Sequence, residues 1–196
     1  MNTRSLLILL LVAVIGISGY LVFGWEKSTN VQESAVLGNA NASAGSDEKF
    51  AYLVRQTSSS CGLQRQTVLG YPDEQRIQGS CCNKMDLTAY QKQVEGLKKY
   101  KDFSFIPKDS YDTSAKEAKV AYGFLDSIIL TAGEQKIYND AMKISHEGGP
   151  CCCKCWHWDV YEGIAKKMIA DYGWNAEQIA ELWDLSEGCG GPLEHG

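Results

Sequence analysis

The sequence lacks an excess of positive charge. Its 19 lysine and arginine residues are outnumbered by 24 aspartate and glutamate residues, giving a formal net charge of −5. Because nucleic-acid binding needs a basic face, no nucleic-acid partner is expected. Proline is also scarce, at 4 of 196 residues, whereas 44% of the residues are hydrophobic. This composition excludes a collagen-like fibre and a wholly disordered chain.

The sequence also lacks internal repeats and alternating strand patterns. Apolar residues recur at helical spacing instead, which predicts an all-α domain of about five helices. Residues 61–80, rich in glutamine, glycine and turn residues, are expected to be irregular. The predicted caps are Asp86, Ser114, Thr131 and Asn175 at helix N-termini and Gly173 at a C-terminus. The corresponding helices run over 87–100, from 114, over 131–145, over 160–172 and from 176.

One long apolar run stands near the N-terminus. Leu6 to Gly24 contains no charged residue, and as a helix it would be about 28 Å long, close to the thickness of a bilayer core. Arg4 precedes it, which favours a cytoplasmic N-terminus. Residues 1–25 are therefore predicted to be a single-pass anchor in the cell membrane. A cleaved signal peptide is the alternative, and both interpretations put the following residues outside the cytoplasm.

A polar segment follows the apolar run. Residues 26–49 are rich in serine, asparagine, alanine and glycine and contain no aromatic residue, which predicts a flexible linker. The folded, cysteine-rich helical domain is then expected over residues 50–196.

Cysteine is the abundant residue, with eight in the chain. Four of them lie between Cys151 and Cys155, just ahead of a predicted helix. Thiolates are soft ligands that select Cu(I), Zn(II) or an iron–sulfur cluster, and a helix N-terminus lowers the pKa of nearby thiols. This crowding favours a metal centre with Cu(I) or Zn(II). The candidate metal ligands are Cys151, Cys152, Cys153, Cys155, His157, Cys81, Cys82 and Cys189.

Two alternatives to a metal centre remain open. Cysteines outside the cytoplasm usually form structural disulfides, and Cys61, which follows three serines, is expected in one. Cys152 and Cys155 form a C-x-x-C pair suited to redox chemistry, although no βαβ pattern surrounds it. His146 is also left open between a metal ligand and a helix-terminal residue favoured by the dipole.

The run from residue 150 to 155 resembles the Pro-Cys-Tyr-Cys-Gly-Cys signature of the PCYCGC-motif proteins, which are membrane-tethered, extracytoplasmic bacterial proteins without an assigned activity. Cys152 and Lys154 replace the tyrosine and glycine of that signature, and the family's lipid-anchoring cysteine is absent. The resemblance extends over a minority of the chain. It implies a surface-exposed, metal-handling domain. The matching cysteines are Cys151, Cys153 and Cys155.

The sequence thus predicts a membrane-anchored extracytoplasmic protein that binds or transfers a soft metal ion through a polythiol centre. Its expected partners are the membrane and a protein that donates or accepts the metal. A disulfide-stapled interaction domain and a thiol–disulfide redox carrier are the alternatives. No pair of carboxylates suits acid–base catalysis, so a binding protein is favoured over an enzyme.

Overall fold

A computed structural model describes residues 38–191, and this part of the chain is mostly helical. None of its helices is long and apolar enough to cross a bilayer. The anchor predicted over residues 1–25 lies outside the described residues. The elements are α1 (Asp47–Leu53), α2 (Arg65–Leu69), β1 (Arg76–Gln78), α3 (Leu87–Leu97), a 3-10 turn (Lys98–Tyr100), β2 (Asp112–Ser114), α4 (Ala115–Ser127), α5 (Ala132–Ile144), α6 (Trp156–Tyr172) and α7 (Ala176–Leu185).

The five predicted helices are present, and their caps are confirmed. Ser114, Thr131 and Asn175 each form a capping box, in which two backbone N–H groups of the first turn gain side-chain acceptors. Asp86 caps α3 through its carboxylate. Gly173 ends α6 with φ of 66°, the left-handed conformation that favours glycine. Local hydrogen bonding therefore determines where most helices begin and end.

A short sheet corrects the all-α prediction. β1 and β2 pair antiparallel, with Arg76 opposite Ser114 and Gln78 opposite Asp112. With three residues in each strand, no alternating pattern can emerge from the sequence. Both β1 and α2 fall in residues 61–80, which were predicted to be irregular.

The main core forms around α4 and α6. Gly163 of α6 lets the two helices approach closely, because a Cβ there would lie 2.1 Å from the carbonyl oxygen of Ala121. The indole N–H of Trp183 in α7 donates to the carbonyl oxygen of Tyr161, and Tyr138 of α5 packs edge-on against the Trp183 ring. α5 and α7 thus join the same core.

A smaller core attaches the N-terminal end of the described chain to α3. The hydroxyl of Tyr90 accepts a hydrogen bond from the backbone N–H of Gly45, and Ser46 caps α1. The buried residues of this core are Leu53, Tyr90, Val94 and Tyr111. The domain start at residue 50 and the linker over residues 26–49 stay predictions, and the residues of that linker from 38 onward pack against α3.

Candidate metal centre

All eight cysteines converge in the fold. They lie in loops that precede α2, α3 and α6 and in the loop that follows α7. Each has at least one other cysteine sulfur within 4.8 Å. The structure therefore brings together all seven cysteines predicted as metal ligands and adds Cys61. We call these eight residues the cysteine cluster.

Backbone hydrogen bonds join the loops that carry the cluster. The loop after α7 runs beside the loop before α3, where residue 191 also forms a parallel bridge with residue 85. The loop before α2 bonds to the loop before α3 and to the start of α6. The bonds are Cys61 N–H to Cys81 O, Cys81 N–H to Gly188 O, Asn83 N–H to Cys189 O and Trp156 N–H to Leu63 O. The cysteines are thus positioned by the backbone as well as by their own sulfur contacts.

One disulfide is present within the cluster. Cys61 and Cys82 are bonded, with their Cα atoms 6.1 Å apart, within the range that a disulfide requires. This confirms the expected bridge at Cys61. It also places Cys82, a predicted ligand, in a bond that occupies its sulfur. The other six cysteines of the described chain are free thiols.

Four of the free thiols form a compact group. The sulfurs of Cys81, Cys151, Cys153 and Cys155 all lie within 4.8 Å of one another. All but Cys153 are buried. A tetrahedral zinc–thiolate site, with bonds of about 2.3 Å, places its sulfurs about 3.8 Å apart. The four-thiol group therefore matches a metal site in donor type and number, and none of its sulfur separations exceeds the tetrahedral spacing by more than about 1 Å.

Cys189 links this group to the remaining cysteines. Its Sγ lies 3.0 Å from that of Cys151 and 3.6 Å from that of Cys81. It also lies 2.7 Å from the Sγ of Cys152, whose side chain is exposed. The cluster thus extends without a break from the buried thiols to the surface.

The thiols differ in acidity. Hydrogen bonding from Cys155 lowers the pKa of Cys151, and hydrogen bonding from Cys151 lowers the pKa of Cys189. Burial instead raises the pKa of Cys152, and that of Cys153 to about 12. Thiolates at Cys151 and Cys189 would place negative charge in a buried setting, where a bound cation stabilises it.

The N-terminus of α6 meets the cluster at Cys155, the N-cap residue. α6 is 17 residues long and begins four residues before its predicted start, so His157 and Trp158 lie in its first turn. The positive end of a helix dipole stabilises thiolates nearby. The predicted arrangement of thiols ahead of a helix is therefore present, with the helix closer to them than expected.

Two tryptophans in the first turn of α6 hold the loops before α2 and before α6. The indole N–H of Trp156 donates to Ser59 Oγ at 3.3 Å. The ring of Trp158 packs against Gly149, where a Cβ would lie 2.6 Å from it, and Lys154 Nζ lies 5.0 Å from the ring centre. The residues before and within the cysteine run are thereby fixed to the first turn of α6.

His157 lies beside the cluster, in the interior of the protein. Its side chain is buried, and neither ring nitrogen has a hydrogen-bond partner in the described part of the chain. The ring packs against Tyr161, and a Cβ on Gly188 would lie 3.0 Å from Nε2. The imidazole also helps to lower the pKa of the Cys151 thiol, so it acts on the buried side of the cluster. His157 is in none of the groups of described side chains whose ligand atoms lie within 4.8 Å of one another, so its role as a ligand stays a prediction.

A second group of ligating side chains adjoins the cluster. His146, Glu147 and Glu187 each place one ligand atom within 4.8 Å of the others. Burial, together with the negative charges of Glu147 and Cys151, raises the pKa of Glu187 to about 7. The sequence held no signal for the two glutamates, because they lie in separate loops far apart in the chain.

Known proteins supply no assignment for this arrangement: no protein-family model, curated protein or solved structure matches the chain. The similarity to the PCYCGC-motif proteins therefore stays a prediction.

Proposed function

We propose that the protein binds a soft metal ion, Cu(I) foremost and Zn(II) second, at the four-thiol group of Cys81, Cys151, Cys153 and Cys155. The observation that carries the proposal is the mutual approach of these four sulfurs to within 4.8 Å. None of these four cysteines takes part in the disulfide. Soft thiolate donors in this number suit Cu(I), Zn(II) or an iron–sulfur cluster far better than hard cations.

The acidities of the thiols favour Cu(I). Metal binding needs thiolates, and within the four-thiol group hydrogen bonding lowers the pKa of Cys151 but raises that of Cys81, while burial raises that of Cys153. A monovalent ion can be held by fewer thiolates than tetrahedral zinc. The buried site therefore suits a monovalent soft ion first.

Transfer of the metal to or from another protein is part of this proposal. Cys152 is exposed, and its sulfur lies 2.7 Å from that of Cys189, which contacts the four-thiol group through Cys151. A partner's thiolate could approach at Cys152 and replace the cluster's thiolates one at a time. The proposed location is the outer face of the cell membrane, with the apolar run at Leu6 to Gly24 as the anchor.

The test is native mass spectrometry of the full chain, with its disulfide intact, during anaerobic titration with Cu(I) or Zn(II). We expect one ion to bind and free thiols to become protected from alkylation. Cys155→Ser should remove this ion. Cys152→Ser, which deletes a thiol of the same loop outside the four-thiol group, should retain it. Failure of the native chain to bind either ion would overturn the proposal.

Thiol–disulfide exchange is a second candidate, favoured by the 3.4 Å between the sulfurs of Cys152 and Cys82. Attack by the Cys152 thiolate on Cys82 would form a Cys82–Cys152 disulfide and release Cys61 as a thiolate. Attack by Cys189 on Cys152 would then release Cys82, so the disulfide moves without any external oxidant. Cys189→Ser should stop the sequence at the Cys82–Cys152 bond, which peptide mapping detects. Its absence would contradict the exchange.

A further inference from the structure

Three cysteines at the outer side of the cluster form a separate group. The sulfurs of Cys82, Cys152 and Cys189 all lie within 4.8 Å of one another, and Cys82 is 3.4 Å from Cys152. None of the three belongs to the four-thiol group. We call them the outer trio. Of the three, Cys82 is the one in a disulfide, which it forms with Cys61.

We propose that the outer trio is a second Cu(I) site, which is closed while the Cys61–Cys82 disulfide exists and opens when it is reduced. This inference rests on the proposed function, because it concerns the same cluster and the same class of ion. It adds a second centre and a redox condition for filling it.

The geometry of the trio suits three-coordinate binding. With metal–sulfur bonds like those of zinc thiolates, about 2.3 Å, a planar three-sulfur site places its sulfurs about 4 Å apart. The sulfur of Cys152 lies 2.7 Å from that of Cys189 and 3.4 Å from that of Cys82. A bound ion therefore requires the Cys152 sulfur to move away from the other two by roughly 1 Å. Rotation of the Cys152 side chain, which is exposed, can supply this movement.

The loops of the trio stay in place without the disulfide. The backbone N–H of Asn83 donates to the carbonyl oxygen of Cys189 at 2.7 Å, and that of Cys81 donates to Gly188 at 3.0 Å. Ser80 Oγ also donates to the Cys189 carbonyl oxygen. None of these hydrogen bonds involves Cys61. Reduction therefore frees the Cys82 sulfur beside its two partners rather than releasing it from the cluster.

The opening step is a two-electron reduction by an external dithiol. One thiolate of the dithiol attacks the exposed Cys82 sulfur, forming a mixed disulfide and releasing Cys61 as a thiolate that takes up a proton. The second thiol of the reductant then displaces Cys82. The reductant leaves as a disulfide, and the protein gains two thiols. Cys82 can then ligate Cu(I) with Cys152 and Cys189.

The experiment compares Cu(I) binding by the full chain in two redox states. Native mass spectrometry is used with the disulfide intact and after reduction, with the dithiol removed anaerobically before titration. We expect the reduced chain to bind at least one more Cu(I) than the oxidised chain. Equal stoichiometry in the two states would overturn the second site. Absence of Cu(I) from both states would instead overturn the proposed function.

A matched pair of variants separates the effect of losing the Cys82 ligand from the effect of losing the Cys61–Cys82 disulfide. Cys61→Ser removes the disulfide but leaves Cys82 free, so it should bind the additional Cu(I) without reduction. Cys82→Ser removes both the disulfide and a ligand, so it should not bind the additional ion even when reduced. Circular dichroism checks that both variants keep the helical fold. Identical Cu(I) counts for the two folded variants would contradict a second site at the outer trio. The reduced native chain tests the same site without any substitution.

Discussion

Lys49 Nζ lies 2.5 Å from Asp112 Oδ2, with the two side chains only 6% and 9% exposed. The same ammonium donates to the carbonyl oxygen of Ala40 at 2.6 Å, while Arg76 Nε donates to the other carboxylate oxygen of Asp112 at 2.7 Å. This ion pair attaches α1 to β2. It therefore joins the smaller core to the sheet that leads into α4.

Replacing Lys49 with methionine should lower the free energy of unfolding by about 3 kcal/mol, the lower end of the cost of breaking a buried ion pair, because Arg76 still compensates Asp112. Urea denaturation followed by circular dichroism measures the change. Lys136→Met is the control, since its pair with Asp140 is largely exposed on α5 and its loss should have no measurable effect. Equal losses in the two variants would contradict the importance of burial.

The same pair predicts how stability depends on pH. Burial alone would raise the pKa of Asp112, but hydrogen bonds from Arg76 and Lys49 outweigh it and lower the pKa. The unfolded chain therefore takes up a proton at this carboxyl before the folded chain does. Its contribution to stability is present above a pH of about 4 and is lost as the pH falls through the lower folded pKa. Unfolding of native chain and Asp112→Asn should thus differ most near neutral pH and converge in acid. A difference that grows in acid would contradict this sign.

Gly163 predicts a strong steric effect at the α4–α6 contact. Gly163→Ala would place a Cβ 2.1 Å from the Ala121 carbonyl oxygen, so the helices must separate. We expect a loss of about 3 kcal/mol, at the upper end for overpacking. Gly123→Ala in α4 is the control, because nothing lies within 4 Å of its Cβ position, and alanine should stabilise that helix by about 0.5–1 kcal/mol. Thermal unfolding compares them, and a neutral Gly163→Ala would exclude so close an approach.

Local and distant features of this fold differ in how far the sequence could predict them. Capping residues such as Ser114 and Thr131 act within one turn, so the predicted helices were confirmed. The cap at Ser46 was missed because it lies in a segment whose composition is typical of linkers, and the Lys49–Asp112 pair that orders this segment joins residues distant in sequence.

The same distinction applies to the cluster. The crowding of four cysteines between Cys151 and Cys155 is visible in the sequence, and so is their position before a helix. The approach of Cys189 to Cys151 and the bonding of Cys61 to Cys82 depend on how four loops, distant in sequence, pack. The number of cysteines alone therefore left metal binding, disulfides and redox exchange open. The structure shows one disulfide and six free thiols.

Gly190 provides a test of how the loop after α7 positions Cys189. Gly190 has a φ of 74°, and a Cβ there would lie 2.6 Å from the carbonyl oxygen of Asn83. Gly190→Ala should displace Cys189 and weaken Cu(I) binding at the outer trio of the reduced chain by about tenfold, which corresponds to 1.4 kcal/mol. The four-thiol group should bind as before. Competition with a chromophoric Cu(I) chelator gives both affinities.

Gly62→Ala is the control for this substitution, since it neighbours Cys61 but has no atom closer than 3.9 Å to its Cβ position. It should leave both Cu(I) affinities unchanged. Equal weakening by the two alanine variants, or none by Gly190→Ala, would contradict the role of the loop.

Alkylation should distinguish the thiols by access to solvent. Cys151, Cys155 and Cys189 are each 1% exposed, whereas Cys152 is exposed, so iodoacetamide should modify Cys152 first in the oxidised native chain. Only thiolate reacts, and partial loss of solvent around the exposed Cys152 side chain, together with hydrogen bonding to Cys189, raises its pKa. Its rate should therefore rise about tenfold per pH unit above neutrality. The buried thiols should react only through local opening, however acidic they are.

Time-resolved peptide mass spectrometry measures the alkylation rate of each cysteine. The control is the chain in denaturant, where solvent access no longer differs between the cysteines. If Cys151 or Cys189 reacted as fast as Cys152 in the folded chain, thiolate character and not burial would control how fast the cluster reacts with reagents and partners.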